Sequence, residues 1–232
     1  MSSQWYLGFG ASEALHRLNQ EYRASLTSES EKAQSDRLYA LLSEFADECL
    51  DQYFLSPVEN IQLNGVGKKI VHGGVSAIKK TIHLTLKQVI KKLSGADRQQ
   101  LADYINGMML PLRESKRYPT YVAVPISDQL RKRLRDPVEQ GRDNPAAVVD
   151  AYAAALCDLI ETAIDAYLNE PIRMLKMGIV MNKIASVASD TISGAAQTVV
   201  KKVLHSMNEK EMQHFFEFSE SILYQPQQAK AA

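Results

Sequence analysis

Two short stretches constrain this chain more than anything else in it. "LDQYFLSPVENI" at 50–61 is echoed by "IDAYLNEPIRML" at 164–175. Each has an aspartate, a tyrosine two residues on, a proline four after that, and then an apolar residue. At a spacing of 114 the correspondence spreads in both directions: Leu42 with Leu156, Phe45 with Leu159, Tyr53 with Tyr167, Pro57 with Pro171, Val66 with Val180 and Ile70 with Ile184. Farther on, the spacing shifts to 110, which aligns Thr81 with Thr191 and Ile82 with Ile192, and at the last helix to 111. A change of four residues inside a helix is about one turn and nearly preserves the buried face. Helical periodicity alone does not place Asp-x-Tyr-x-x-x-Pro twice, so the expectation is a tandem duplication.

The repeated material reads as helix. Leu38, Leu41, Leu42, Phe45, Leu50 and Phe54 recur mostly at three- and four-residue spacing, with adjacent pairs between, as do Tyr152, Leu156, Leu159, Ile160, Ile164 and Leu168. That is the pattern of an amphipathic helix, and strand-like alternation is almost absent. The expected fold class is all-α: two similar three-helix units about a pseudo-twofold axis, with a long central helix in each. The helices are expected at 38–54, 57–93 and 97–112, then at 150–168, 171–207 and 208–223. A residue before proline avoids the α region, so Pro57 and Pro171 should each separate two helices. Ser56-Pro57-Val58-Glu59 has the form of a capping box. Gly65, Gly67, Gly73 and Gly74 predict a kink or break near 64–67 or 73–74. Asp97 with Gln100, and Asn208 with Glu211, have the character of cap and third helical position.

The units span 37–112 and 150–224. Ahead of them, 1–36 reads as an apolar tip, a helix at about 12–26 and a polar linker, "TSESEKAQSD". Between them, 113–149 reads as an extended crossover followed by a short basic helix. Its "YPTYVAVPI" is the one strand-like run in the chain, and "RKRLR" at 131–135 supplies the charge. Residues 225–232 are expected to be a disordered tail.

Composition enters through what it excludes. With 45% hydrophobic and 23% charged residues, the chain can bury a core without disulfides or metals. Cys49 and Cys157 lie in apolar segments with no partner at a metal or redox spacing, so both are expected to be reduced and buried. The most apolar region, around 177–200, is interrupted by Lys183 and Asp190, short of a membrane span. No signal-peptide pattern opens the chain. The expected location is the cytoplasm.

Chemical signatures are sparse. There is no phosphate loop, dinucleotide glycine pattern or nucleophile elbow. His72 and His83 share a helix face but sit ~16 Å apart along it, and His205 and His214 straddle an expected helix break. No cofactor and no metal are expected. Asp51 and Asp165 as bases with Tyr53 and Tyr167 as donors would make a catalytic reading. A helix corner with a packed tyrosine ring accounts for the same residues, so no catalytic residue is assigned.

Charge gives the sharpest functional hint. Residues 1–60 carry 4 Lys/Arg against 10 Asp/Glu, 61–142 carry 16 against 6, and 143–232 carry 7 against 11. On the first long helix Lys68, Lys69, His72, Lys79, Lys80, His83, Lys87 and Lys91 fall within about 140° of rotation, clear of the apolar stripe. The second unit keeps only Lys183, Lys201 and Lys202 there. With Arg131, Lys132, Arg133 and Arg135 these form a candidate surface for nucleic acid or anionic lipid, unless the acidic helix at 36–51 neutralises it. Trp5, Tyr6 and Phe9 form a candidate docking tip. The leading expectation is a non-enzymatic adaptor or regulatory protein, perhaps self-associating, that binds a protein through helical faces. The anionic-surface binder comes second, and an enzyme with its site between the units third.

Overall fold

Serine and asparagine set most of the helix starts. The side chains of Ser12, Ser30, Asn64, Ser94, Ser127 and Asn208 each accept a hydrogen bond from a backbone N–H of the first helical turn. The structure, a computed structural model, describes residues 4–111, 120–175 and 177–225.

Strand β1 (Trp5–Ala11) leads into α1 (Glu13–Ser28) and α2 (Glu31–Leu50). A π-helical turn at Asp51–Leu55 runs directly into the short α3 (Ser56–Asn60), followed by the long α4 (Gly65–Val89), α5 (Gly95–Met108) and β2 (Met109–Pro111). After residues 112–119, β3 (Thr120–Ile126), α6 (Asp128–Gln140) and α7 (Val149–Ile164) follow. A second π turn at Asp165–Asn169 continues into α8 (Glu170–Met174), then α9 (Ile179–Ser206), α10 (Glu209–Ser221) and β4 (Leu223–Tyr224).

The fold is mostly helical, and it adds a four-stranded antiparallel sheet to the all-helical expectation. The strand order is β2-β3-β1-β4. Strands β1 and β3 pair over seven residues, with Gly8 opposite Ala123 at the centre. β2 then adds to β3, and β4 to β1, so every pairing joins the N-terminal half to the C-terminal half. Gly8 is required at the centre: a Cβ there would lie 2.6 Å from the Tyr121 ring and 2.7 Å from the Val122 carbonyl oxygen.

The sheet corrects the reading of the N-terminus. Residues 5–11 are an inner strand, buried from Leu7 onward, and Phe9 is 2% exposed. The apolar character that suggested a docking tip is the character of a strand covered on both faces. The expected polar linker is also replaced, because α2 starts at Glu31, one residue past its Ser30 cap.

The prolines behave differently from expectation. Pro57 and Pro171 lie in the first turn of α3 and α8, but neither helix is separated from the one before it. Ser56 and Glu170, just ahead of the prolines, are in the α region and donate their N–H groups five residues back, to the Asp51 and Asp165 carbonyls. A proline ring crowds the carbonyl four residues before it. The π turn widens the coil there, so the helix passes the proline without stopping. Ser56 therefore lies within the helix and forms no capping box. The break falls instead at 61–64, where Gln62 has φ 53°. α4 runs unbroken through Gly73 and Gly74. The first capping box is Ser94 with Asp97, three residues earlier than expected, and the second is Asn208 with Glu211.

α4 and α9 pack against each other along their lengths, α2 packs on α4, and α7 on α9. The main core gathers the sheet, α1, α5, α6, α10 and the inner faces of α2 and α7. A second core lies between α4 and α9, with α3 against its edge.

Candidate functional site

Where α2, α4, α7 and α9 converge, their apolar faces do not close on each other. They leave a half-enclosed cavity of about 200 Å³. Its wall repeats across the two halves: Leu42 and Leu156, Phe45 and Leu159, Tyr53 and Tyr167, Ile78 and Ile192, all 114 residues apart, like the tyrosines. Leu7 of β1 and Phe218, Ser219 and Ile222 near the end of α10 complete it on one side. Many of these side chains, Phe45, Tyr53 and Tyr167 among them, are only half-buried although they lie at the centre of the molecule.

The two tyrosines meet across the junction, their hydroxyls sharing a hydrogen bond at 3.4 Å. Tyr167 stacks edge-on against Phe45 at 5.2 Å, and Tyr53 against Phe9 at 5.7 Å. Burial pushes the Tyr53 hydroxyl well above the usual tyrosine range, with Tyr167 and Cys49 beside it adding to the shift. Burial moves Tyr167 the same way. The Cys49 thiol, also in the wall, is pushed up to about 12 by burial. All three groups are neutral near pH 7, and a thiol held protonated is a poor nucleophile.

The aspartates of the repeated motif take no part. Asp51 and Asp165 are exposed, outside the cavity wall. Asp165 is paired with Arg173 at 2.8 Å, and that guanidinium holds its carboxyl below the usual range. The aspartates thus lie apart from the tyrosine pair in the cavity wall.

Beside the cavity a polar latch ties α2 to α4. Asp47 accepts from Lys79 Nζ at 2.8 Å and faces His83 Nε2 at 3.3 Å, while His83 Nδ1 lies 3.1 Å from the Tyr39 hydroxyl. An equivalent latch ties α7 to α9. Glu161 accepts from Ser193 Oγ at 2.8 Å and Gln197 Nε2 at 2.5 Å.

The basic residues singled out from the sequence divide between separate helices. On α4, Lys68, Lys69, His72, Lys80 and Lys87 are exposed, as is Lys91 just beyond its end. Lys79 and His83 are engaged by Asp47, so the acidic helix neutralises only that edge of the stripe, and Lys87 lies over the Tyr39 ring at 5.7 Å. The second cluster sits on α6, which packs on α7. There Arg131 covers the Trp5 ring at 3.9 Å, Arg133 pairs with Asp158, Arg135 pairs with Glu139 at 3.1 Å, and Lys132 is exposed. Trp5 and Tyr6 are partly buried in β1.

Among the described residues, no three His, Cys, Asp or Glu side chains gather to hold a metal ion, and no helix is long and apolar enough to cross a membrane. Comparison with protein-family models, with curated proteins and with solved structures gave no match. The cavity had no separate signal in the sequence. Its lining residues read there as ordinary core positions, and the one trace is that the repeated Tyr53 and Tyr167 lie in its wall.

Proposed function

We propose that this chain is a binding protein whose ligand is a small, uncharged, apolar molecule held between its two halves. The observation that carries this reading is the cavity of about 200 Å³ with an almost wholly apolar wall. A dry apolar cavity of about 150 Å³ already takes a single aromatic ring, so this one suits a ring or a short alkyl chain. The neutral Tyr53 and Tyr167 hydroxyls offer one polar contact to a ligand carbonyl or hydroxyl. The absence of any ionised group in the wall argues for binding over acid–base or nucleophilic catalysis.

We further infer that the halves descend from one duplicated unit. What supports this is a spacing of 114 that recurs in the two π turns, the two capping boxes and the cavity wall, where the sequence had suggested drifts to 110 and 111. Duplication would explain why the cavity lies on the line where the halves meet. The binding role expected from the sequence is kept in this reading, with a small apolar molecule in place of a protein. The N-terminal residues lend no support to protein docking, since Phe9 is buried in β1.

Titration with an apolar dye such as 1-anilinonaphthalene tests the reading. Saturable fluorescence enhancement is expected, and Ala163→Phe, which fills the cavity, should abolish it while raising the unfolding temperature. Dye binding that persists unchanged in A163F would refute the assignment.

A further inference from the structure

We propose that the outer face of α4 and α9 docks on an anionic lipid bilayer. All five large apolar side chains that stand exposed among the described residues are on these two helices: Val66, Leu84, Ile179, Val180 and Val187. Ile179 is 89% exposed and Val180 72%. Among the described residues, no other helix or strand leaves such groups in water.

Cations surround them. Residues 61–92 contain seven lysines and no aspartate or glutamate, and α9 adds Lys183, Lys201 and Lys202 against the single Asp190. Lys68, Lys69, Lys80, Lys91 and Lys92 form no ion pair among the described residues. The two kinds of residue share one line. On α4, Val66, Lys69, Lys80, Leu84 and Lys87 fall within about 60° of rotation, opposite the Ile78 and Ile82 that face the cavity. The corresponding outer line of α9 carries Val180, Lys183, Val187 and Lys201. The start of α4 meets the end of α9, where Asn64 Nδ2 donates to the Ser206 carbonyl at 2.8 Å. Val66 and Val180 therefore mark opposite ends of the face and spread the contact across it.

Apolar side chains set among lysines match a membrane surface, where the chains enter the headgroup layer and the ammonium groups meet lipid phosphates and carboxylates. Nucleic acid fits less well. α4 and α9 carry no arginine for bidentate base contacts and no phenylalanine, tyrosine or tryptophan ring for stacking. Exposed valine and isoleucine also gain nothing from a phosphate backbone. Because the inner faces of the same helices line the cavity, a docked molecule would hold its apolar site one helix thickness from the bilayer.

Co-sedimentation with vesicles of phosphatidylserine and phosphatidylcholine, against phosphatidylcholine alone, tests the docking without reference to the cavity. Binding to the anionic vesicles only, falling with added salt, is expected. Lys69→Gln with Lys80→Gln should weaken it by roughly 25-fold, about fivefold for each lysine. Leu84→Ser with Val187→Ser should leave binding at low salt and lose it at high salt. These four positions are exposed, and an unchanged melting curve verifies that each variant is folded. No vesicle binding, or anionic binding indifferent to K69Q/K80Q, overturns the proposal. Salt-sensitive binding to duplex DNA without vesicle binding replaces it with a nucleic-acid surface. Dye binding in the cavity that survives a failed vesicle assay rejects the docking alone.

Discussion

Gly73 and Gly74 are sequence neighbours under opposite constraints. A Cβ on Gly73 meets nothing within 4 Å, whereas one on Gly74 would land on Val199 of α9. Gly73→Ala should therefore stabilise the fold by up to ~1 kcal/mol through helix propensity. Gly74→Ala should destabilise it by about 2 kcal/mol through overpacking, and adding Val199→Ala should recover most of that loss. Urea midpoints read both. Glu48 sets a pH dependence on the same scale. Its half-buried carboxylate accepts from the Ser12 backbone N–H at 3.1 Å and from the Ser12 hydroxyl. Burial nonetheless raises it above the usual range, and Glu44 and Asp51 nearby add to the shift. The folded state thus holds this proton to higher pH than the unfolded chain does. The stabilising contribution is fully present below the unfolded carboxylate value and is lost as pH rises through the folded one. Glu48→Gln should flatten that decline when melting temperature is followed from acid to neutral pH. Neither the glycine contrast nor the Glu48 environment was legible in the sequence, because both depend on what another helix brings against the position.

Among the elements, the two capping boxes look alike and carry different loads. Asp97 closes the box on Ser94 at the start of α5. Glu211 closes the box on Asn208 and also accepts from the Asn64 backbone N–H at 2.7 Å and from Asn64 Nδ2 at 3.1 Å. It is 6% exposed and joins the start of α10 to the start of α4. Glu211→Ala should cost about 3 kcal/mol, because three part-buried donors, the Asn64 backbone N–H, Asn64 Nδ2 and the Asn208 backbone N–H, lose one carboxylate acceptor together. Asp97→Ala should cost about 1 kcal/mol, an ordinary cap loss. Chemical denaturation of the two variants side by side checks the difference. The existence of a third helix in each half, and the Asn208 box, could be read directly. The Ser94 box was displaced by three residues because Asp97 and Gln100 repeat the same residue types one helical turn later. The π turns left no trace, since widening one turn barely alters the apolar periodicity.

For the whole molecule, the sheet decides how the halves depend on each other. β2 has its partner in β3 and β4 has its partner in β1, so neither half holds a complete sheet. Residues 1–112 and 113–232 produced separately should give no cooperatively unfolding monomer, while co-expression should restore a species of full size. Size-exclusion chromatography and thermal melts read the outcome.

What the sequence by itself determined is local: helical periodicity, the Asn208 cap, the strand character of 120–126, the doubled Asp-x-Tyr-x-x-x-Pro and the run of lysines on one face. These depend on hydrogen bonds and burial patterns that repeat within a few residues. The tertiary structure alone decided that "WYLGFG" is an inner strand, that the tyrosines meet, that the halves leave a cavity and that the lysines share a face with exposed valines. The Tyr53–Tyr167 contact spans 114 residues. The meeting of such distant groups is set by the crossing of whole helices and the register of strands, which no local pattern encodes.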